Sequence, residues 1–263
     1  MKKKAGQIIR IILYKLLSFE NYLYVLSRLY FFSFNLGLLK KNKNYAYPYF
    51  LKNILQEGDV VIDLGANLGY YSKLFSRLTG KNGKVYAVEP IKPILNVLRK
   101  NTKNRENIKI LPYALGTENK DIFLGNDTKS KTGYIASGSN FVLDPNTTKK
   151  NNAEVEFKAK MRKGSEVFQY LKKLDFMKID VEGYETVIIP ELEDIVLKFK
   201  PIILMETKNE KRKEMLDFLS NREYYAFILH NNRLKSTNEN QSDDILFVTK
   251  ERLGRISEYI ANK

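Results

Sequence analysis

The sequence predicts an α/β fold built on a doubly wound, mostly parallel seven-stranded sheet, and three observations carry that prediction. Residues 60–72, VVIDLGANLGYYS, read as a β-branched apolar run broken only by Asp63, then a turn of small residues, then Tyr70, Tyr71, Leu74, Phe75 and Leu78 at helical spacing. Further apolar runs at 85–88, 107–111, 176–181 and 202–205 are separated by helical patterns and polar loops, as parallel strands with crossover connections require. With 263 residues and 43% hydrophobic content, the chain can build one sizeable α/β domain plus a modest extension.

Taken in order, residues 1–45 form a helical N-terminal extension to a domain at 46–263. Met1-Lys2-Lys3-Lys4 is basic, and residues 8–39 are apolar around most of a helix, with Gln7, Arg10, Tyr14, Ser18, Asn21 and Arg28 on one narrow stripe. Arg10, Lys15, Glu20 and Arg28 interrupt the apolar run, which argues against a secretory signal and against a membrane span of ~20 uncharged residues. Two readings stay open: a lid packed on the domain, favoured because core burial explains the aromatics and leucines, and an amphipathic element lying on an anionic membrane. Lys40 to Asn44 is a polar break before residues 45–55 lead into the first strand.

The first strand, 60–64, ends in the Gly65-Ala66-Asn67 turn, and Gly69 precedes the first crossover helix. The second strand ends at Glu89, twenty residues beyond Gly69. Residues 91–101 read as a helix whose end carries Arg99, Lys100 and Lys103, cations suited to a helix C-terminus. The third strand spans 107–111. From 116 to 163, Gly, Ser, Thr and Asn dominate around short alternating runs at 121–124 and 154–160, the pattern of an inserted β-hairpin with long loops. Loops above the C-terminal edge of parallel strands carry specificity, so this insertion is expected to help form the acceptor pocket. The fourth strand, 176–181, is followed by a helix over 184–197 that continues despite Pro190, and the fifth strand, 202–205, is capped by Glu206. Residues 224–230 and 244–249 read as two closing strands, the second antiparallel to its neighbours.

The first turn points to a nucleoside ligand. A dinucleotide fingerprint needs a second glycine where this chain has Asn67, and an acid inside the strand, Asp63, would repel a pyrophosphate. The same acid suits the cationic amino and sulfonium groups of S-adenosylmethionine, and Glu89 stands where a carboxylate can take both ribose hydroxyls. Gly65, Ala66, Asn67 and Gly69 complete this cofactor-binding set.

VVIDLGANLGYYS, VYAVEP at 85–90, MKIDVEGYE at 177–185 and PIILMET at 201–207 together resemble the FkbM family of S-adenosylmethionine-dependent O-methyltransferases, over about residues 55–210. The resemblance implies a class I methyltransferase (Rossmann-like) fold and methyl transfer to a hydroxyl of a small molecule or glycan, commonly a sugar-like acceptor. It also implies that the chain passes the adenine at Tyr113 and Ala114.

Asp180, Glu182 and Glu206 arrive on neighbouring strand tips, a set that serves either as a general base with helpers or as a divalent-metal site. Asp180 and Glu182, which lie in the family-like KIDVEG element, lead Glu206 as base candidates; His230, the chain's one histidine, is a further candidate at the end of the sixth strand. The chain contains no cysteine, which excludes disulfides, zinc-thiolate sites and cysteine nucleophiles. A net charge of +15 suggests an anionic partner, whether acidic glycan, phospholipid surface or nucleic acid, against the alternative of a merely solvated lysine-rich surface. A nucleotide-type cofactor favours the cytoplasm, with membrane contact through 1–45 as the peripheral variant. A base-amine methyltransferase needs an Asn/Asp-Pro-Pro-aromatic turn after the fourth strand, and Ile-Asp-Val-Glu-Gly stands there instead. That disfavours nucleic acid but leaves an RNA ribose methyltransferase as one alternative and a membrane-surface binding module without activity as another.

Overall fold

Alternation of apolar residues along each central strand gives the main sheet two buried faces, and the computed structural model, which describes residues 5–143, 153–237 and 244–261, covers both with helices. In chain order the elements are α1 (Ala5–Leu16), α2 (Phe19–Asn35), α3 (Ala46–Phe50), β1 (Val60–Leu64), α4 (Tyr70–Thr79), β2 (Lys84–Val88), α5 (Lys92–Thr102) and β3 (Ile108–Leu111). An insertion follows, with β4 (Ala114–Gly116), β5 (Lys120–Asn126), α6 (Lys129–Thr132), β6 (Asn140–Val142) and β7 (Val155–Lys163). The chain then returns through α7 (Gly164–Phe168), β8 (Phe176–Ile179), α8 (Glu185–Glu191), α9 (Glu193–Phe199), β9 (Ile202–Glu206), α10 (Asn209–Ser220), β10 (Tyr224–His230), β11 (Arg233–Ser236) and β12 (Asp244–Thr249).

The main sheet runs β11-β10-β12-β9-β8-β1-β2-β3, with parallel pairing from β9 to β3 and β12 antiparallel to both β9 and β10. This is the order of a class I methyltransferase, with strand order reversing between β1 and β8. The seven expected strands are all present, and β11 pairs with β10 as an eighth on the edge. Ile62, Leu64, Met177 and Ile179 face α8, α9 and α10, whereas Val61, Phe176 and Leu204 face α3 and α4. Asp63 and Lys178 share the second face by parity, and they are partners in register across β1 and β8.

Four local expectations change. The apolar stretch 8–39 is two helices, because Ser18 breaks the first and caps the second through the Asn21 N–H. The helix expected over 184–197 divides at Leu192, two residues past Pro190, whose ring nitrogen cannot donate to the preceding turn. Helix α10 and strand β11 are additional to the expected elements. In α10 only Met215 and Leu219 are fully buried apolar residues amid NEKRKE, so the apolar period is faint. The insertion is a four-stranded sheet, β4-β7-β5-β6, in which the three-residue strands β4 and β6 flank the long β5/β7 hairpin. Helices α1 and α2 pack on it and on α5: Tyr22 and Leu23 share a cluster with Ile94, Val97, Ile122 and Met161, and Asn101 donates to Ser27 Oγ at 2.9 Å.

At the edge of the sheet opposite the strand tips, Asp59 and Asp175 are almost fully buried ahead of β1 and β8. Arg255 holds Asp59 with a bidentate pair at 2.6 and 3.0 Å, while Arg252 and Lys173 hold Asp175 at 3.3 and 3.0 Å. The pairs fasten the C-terminal 3₁₀ segment under the sheet. Replacing Arg255 by Ala strands a buried carboxylate and is expected to cost about 3 kcal/mol or more. Chemical denaturation should register that loss while calorimetry finds unchanged cofactor affinity; a coupled loss of cofactor affinity would show that this edge also shapes the cleft.

Candidate active site

Gly65 follows β1 at φ +77°, and a Cβ there would lie 1.9 Å from the Asp180 carbonyl oxygen, so only glycine lets the β1 loop close against the end of β8. The Gly65 and Ala66 N–H groups donate to the Val88 carbonyl at 3.2 and 2.9 Å, which ties the same loop to the end of β2. Asn67 adopts φ +50° and donates its backbone N–H to Glu89 Oε2 at 3.0 Å. Gly69 serves packing: a Cβ would press within 2.8 Å of Leu98, so its absence lets α4 approach α5.

Above this loop lies a cleft of about 710 Å³, counting its open mouth. Gly65, Asn67 and Glu89 form one wall and Ala114 and Leu115 another, while the insertion contributes Leu124, Ser137, Gly138, Asn140 and Val142. The insertion, expected to help form the acceptor pocket, therefore walls the cleft above the glycine loop. Ala66, Gly69 and Tyr113 do not line the cleft; Ala66 is buried and Tyr113 packs against the main core.

Glu89 is buried, with Oε1 accepting from the Ile91 N–H at 2.9 Å and Oε2 from Asn67, so its carboxyl is held in one orientation at the cleft wall. Burial pushes it up to about 7 despite those two hydrogen bonds. The ribose role expected for Glu89 thus meets a preorganised acceptor. Asp63 is fully buried and lies outside the lining residues, with Ser72 Oγ donating to Oδ2 at 2.5 Å. Burial pushes its carboxyl up, opposed by nearby Lys178 and by Ser72. Asp63 Oδ1 and Asn67 Oδ1 are buried without hydrogen-bond partners. The unsatisfied Asn67 acceptor and the oriented Glu89 carboxyl, both on the cleft wall, fit a ligand carrying an amino group and a ribose, as S-adenosylmethionine does; Asp63, expected in the same set, does not line the cleft.

A second cleft, about 1040 Å³ with its mouth, adjoins the first and is lined by Asp180, Glu182, Glu185, Glu206, Glu210, Lys208 and Lys211, among others. Asp180 and Glu182 line both clefts. Asp180 accepts from Lys178 Nζ at 2.9 Å. The Lys178 side chain is buried with its ammonium 4.6 Å from the Tyr71 ring centre. Burial works to lower the Lys178 ammonium, but Asp180 and Asp63 outweigh it and hold the group above its ordinary value. Glu182 sits at φ +49° beside Gly183 at φ +93°, a left-handed pair that turns the chain at the junction of the clefts. Although Glu182 is solvent-exposed, partial desolvation, then Asp180 and Glu206, push its carboxyl up to about 7. Glu206 lines only the second cleft and pairs with Lys208 at 2.7 Å.

His230 is not brought to this cluster: it is exposed at the end of β10, separated from β9 by β12, and lines neither cleft. Among the described residues, no group of three carboxylate or histidine side chains is arranged to hold a metal ion. Lys178, absent from the expected set, carried a signal in its position: a lysine inside a fully buried strand, two residues before Asp180, needs a counter-charge on its own face. Ser72, in the first turn of α4, left no comparable trace.

The sequence model of the Methyltransferase FkbM domain matches residues 63–226, well over half of the chain. Among curated proteins, the protein-L-isoaspartate O-methyltransferase of Methanosarcina mazei is 34% identical over 80 residues, 30% of this chain and 29% of that protein. The matches to such relatives span only 29 to 32% of their length. Among solved structures, an FkbM methyltransferase from Methylobacillus flagellatus KT aligns at 12% identity over 92% of this chain and 59% of its own, with TM-score 0.46. Aeropyrum pernix fibrillarin, solved with S-adenosyl-L-methionine bound, aligns at 13% identity over 74% of this chain and 67% of its own, with TM-score 0.42.

Hydroxyl donors on a ligand favour the ionised form of Glu89 and lower its pKa from about 7 toward the ordinary 4.5, so binding releases a proton in that window. S-adenosylmethionine affinity is accordingly expected to rise with pH up to about 7 and then level off. Glu89→Gln should abolish the dependence and weaken binding about ten- to a hundredfold at pH 8. Calorimetry across this pH range checks both, and a flat profile in the unmutated protein would remove Glu89 from the ribose.

Proposed function

This chain belongs to the FkbM methyltransferase family; from that premise we propose that it is an S-adenosylmethionine-dependent methyltransferase acting on a hydroxyl of a neutral, sugar-like small molecule or glycan. The observation that carries the proposal is that Asp180 and Glu182 line both clefts, so the acids stand where a cofactor in the first meets an acceptor in the second. When bound, S-adenosylmethionine supplies a methyl group activated by its sulfonium charge. What remains for the protein is alignment and removal of one proton.

Glu182 is the base in this reading. Among the described residues its carboxyl makes no hydrogen bond or ion pair, and a group pushed up to about 7 is matched to accepting a proton near neutrality. It takes the hydroxyl proton as the acceptor oxygen gains its methyl group. Asp180, paired to buried Lys178, stays beside it as a fixed anion that orients the acceptor hydroxyl. Left-handed backbone at Glu182 costs of order 1 kcal/mol and is retained at the one place where its carboxyl borders both clefts.

The second cleft carries five acids against Lys208 and Lys211. Such a wall offers hydrogen-bond acceptors to a polyol and repels phosphate or carboxylate, so the chain's positive net charge does not extend to its acceptor side. That weighs against an anionic glycan and against an RNA strand. It also weighs against an isoaspartyl carboxylate, the acceptor named for the archaeal relatives.

Glu182→Gln is expected to cut turnover roughly a hundredfold or more, to remove the rise of rate with pH through about 7, and to leave cofactor affinity nearly intact. Production of S-adenosylhomocysteine against a panel of neutral sugars, uronic acids and sugar phosphates checks both claims. Near-normal turnover in the variant would make Glu182 structural, and preference for the anionic acceptors would overturn the acceptor class.

A further inference from the structure

The N-terminal helices turn apolar faces outward. On α1, Ile8, Ile9, Ile12 and Leu16 are 46 to 76% exposed, and the spacing 8, 12, 16 places them on one stripe. On α2 and just beyond it, Leu29, Phe32 and Leu36 are 52 to 64% exposed, again at helical spacing. The opposite faces are already used: Ile11 and Tyr14 of α1 and Tyr22, Leu23 and Phe31 of α2 pack inward. Water is a poor partner for two such stripes.

Beside the α2 stripe lies a cleft of about 420 Å³ walled by Tyr30, Phe31, Phe34 and Tyr70 and lined by Lys73, Arg77 and Arg105. Lys73 Nζ stands 4.3 Å from the Phe31 ring centre. Arg28, on α2 between the stripe and the cleft, adds a fourth cation. Among the described residues none of these four has an acidic partner, and burial, then Arg28 and Arg105, depress the Lys73 ammonium. The concentration of uncompensated cations beside exposed apolar helices specifies the occupant.

We propose that this face docks on an anionic lipid surface, with the stripes of α1 and α2 entering the acyl boundary and the cation-lined aromatic cleft taking a lipid phosphate. A second copy of the chain fits less well, because a twofold contact would set these cations against their own copies. A nucleic acid would satisfy the cations and leave the isoleucines in water. No helix among the described residues is long and apolar enough to cross a membrane, so the contact is interfacial. It would carry the chain to acceptors held at a membrane, and none of the stripe residues or cleft cations lines either of the other two clefts.

The test is sedimentation of the full chain with vesicles of phosphatidylcholine alone or mixed with phosphatidylglycerol. The protein is expected to pellet with the mixed vesicles only, and less so as salt rises. Each basic residue near the surface contributes about fivefold, so Lys73→Ala/Arg105→Ala should lower partitioning roughly tenfold or more. The exposed pair Arg28→Ala/Arg77→Ala should do the same if the first variant is unstable. Ile12→Ser/Phe32→Ser should lose binding while retaining cofactor affinity and thermal midpoint. Equal pelleting with both vesicle types overturns the proposal, as does indifference to all these variants. Absence of pelleting at low salt also overturns it, whether the variants then abolish a dimer seen by analytical ultracentrifugation or inorganic phosphate alone binds the cleft.

Discussion

The site depends on one buried ammonium. Lys178 lies inside the central strand β8, next in register to Asp63, and its Nζ is bonded to Asp180 and faces Tyr71. Burying a lone lysine or a lone aspartate costs several kcal/mol, so neither Asp63 nor Lys178 is tolerable at its position without the other charges. Together they place an anionic set at the tips of β1 and β8, where the strand order reverses and where open α/β sheets bind ligands. The cleft wall inherits its geometry from this arrangement, because Gly65 must pass within contact of the Asp180 backbone.

Charge is partitioned around this centre. Acids gather on the strand tips, where Glu89, Asp180, Glu182 and Glu206 line the two clefts. Ion pairs at the other end of the sheet, between Asp59, Asp175, Arg252 and Arg255, hold the C-terminal segment and line neither cleft. The unpaired cations that contribute to the net charge of +15 include the set beside α2, away from both clefts. An overall basic chain thus keeps an acidic edge at its strand tips, and the whole-chain charge does not describe the clefts.

Much of the scaffold was legible because the strands are buried on both faces and end in chemically loud residues. Val60 to Leu64 and its glycine turn, Glu89 after β2, and Asp180 with Glu182 after β8 all stand at or within a residue or two of the expected places. Legibility failed where the deciding interaction was distant or brief. Ser72 meets Asp63 across the strand-to-helix turn, and β4 and β6 are too short to show a period. Met215 and Leu219 alone mark the inner face of α10, and Pro190 acts two residues downstream of itself. The family resemblance puts Tyr113 near the adenine and its strand-end position puts His230 near the site, yet neither lines a cleft, because a strand end names an edge of the sheet and not the direction of a side chain.

The central claim, that Lys178 is the counter-charge on which the carboxylate set rests, is tested most directly by a double-mutant cycle of Lys178→Met and Asp180→Asn in denaturant unfolding at neutral pH. Lys178→Met alone is expected to cost about 3 kcal/mol or more, and adding Asp180→Asn to recover at least about 1 kcal/mol of it. Wild-type stability in Lys178→Met, or simple additivity of the two substitutions, would contradict it.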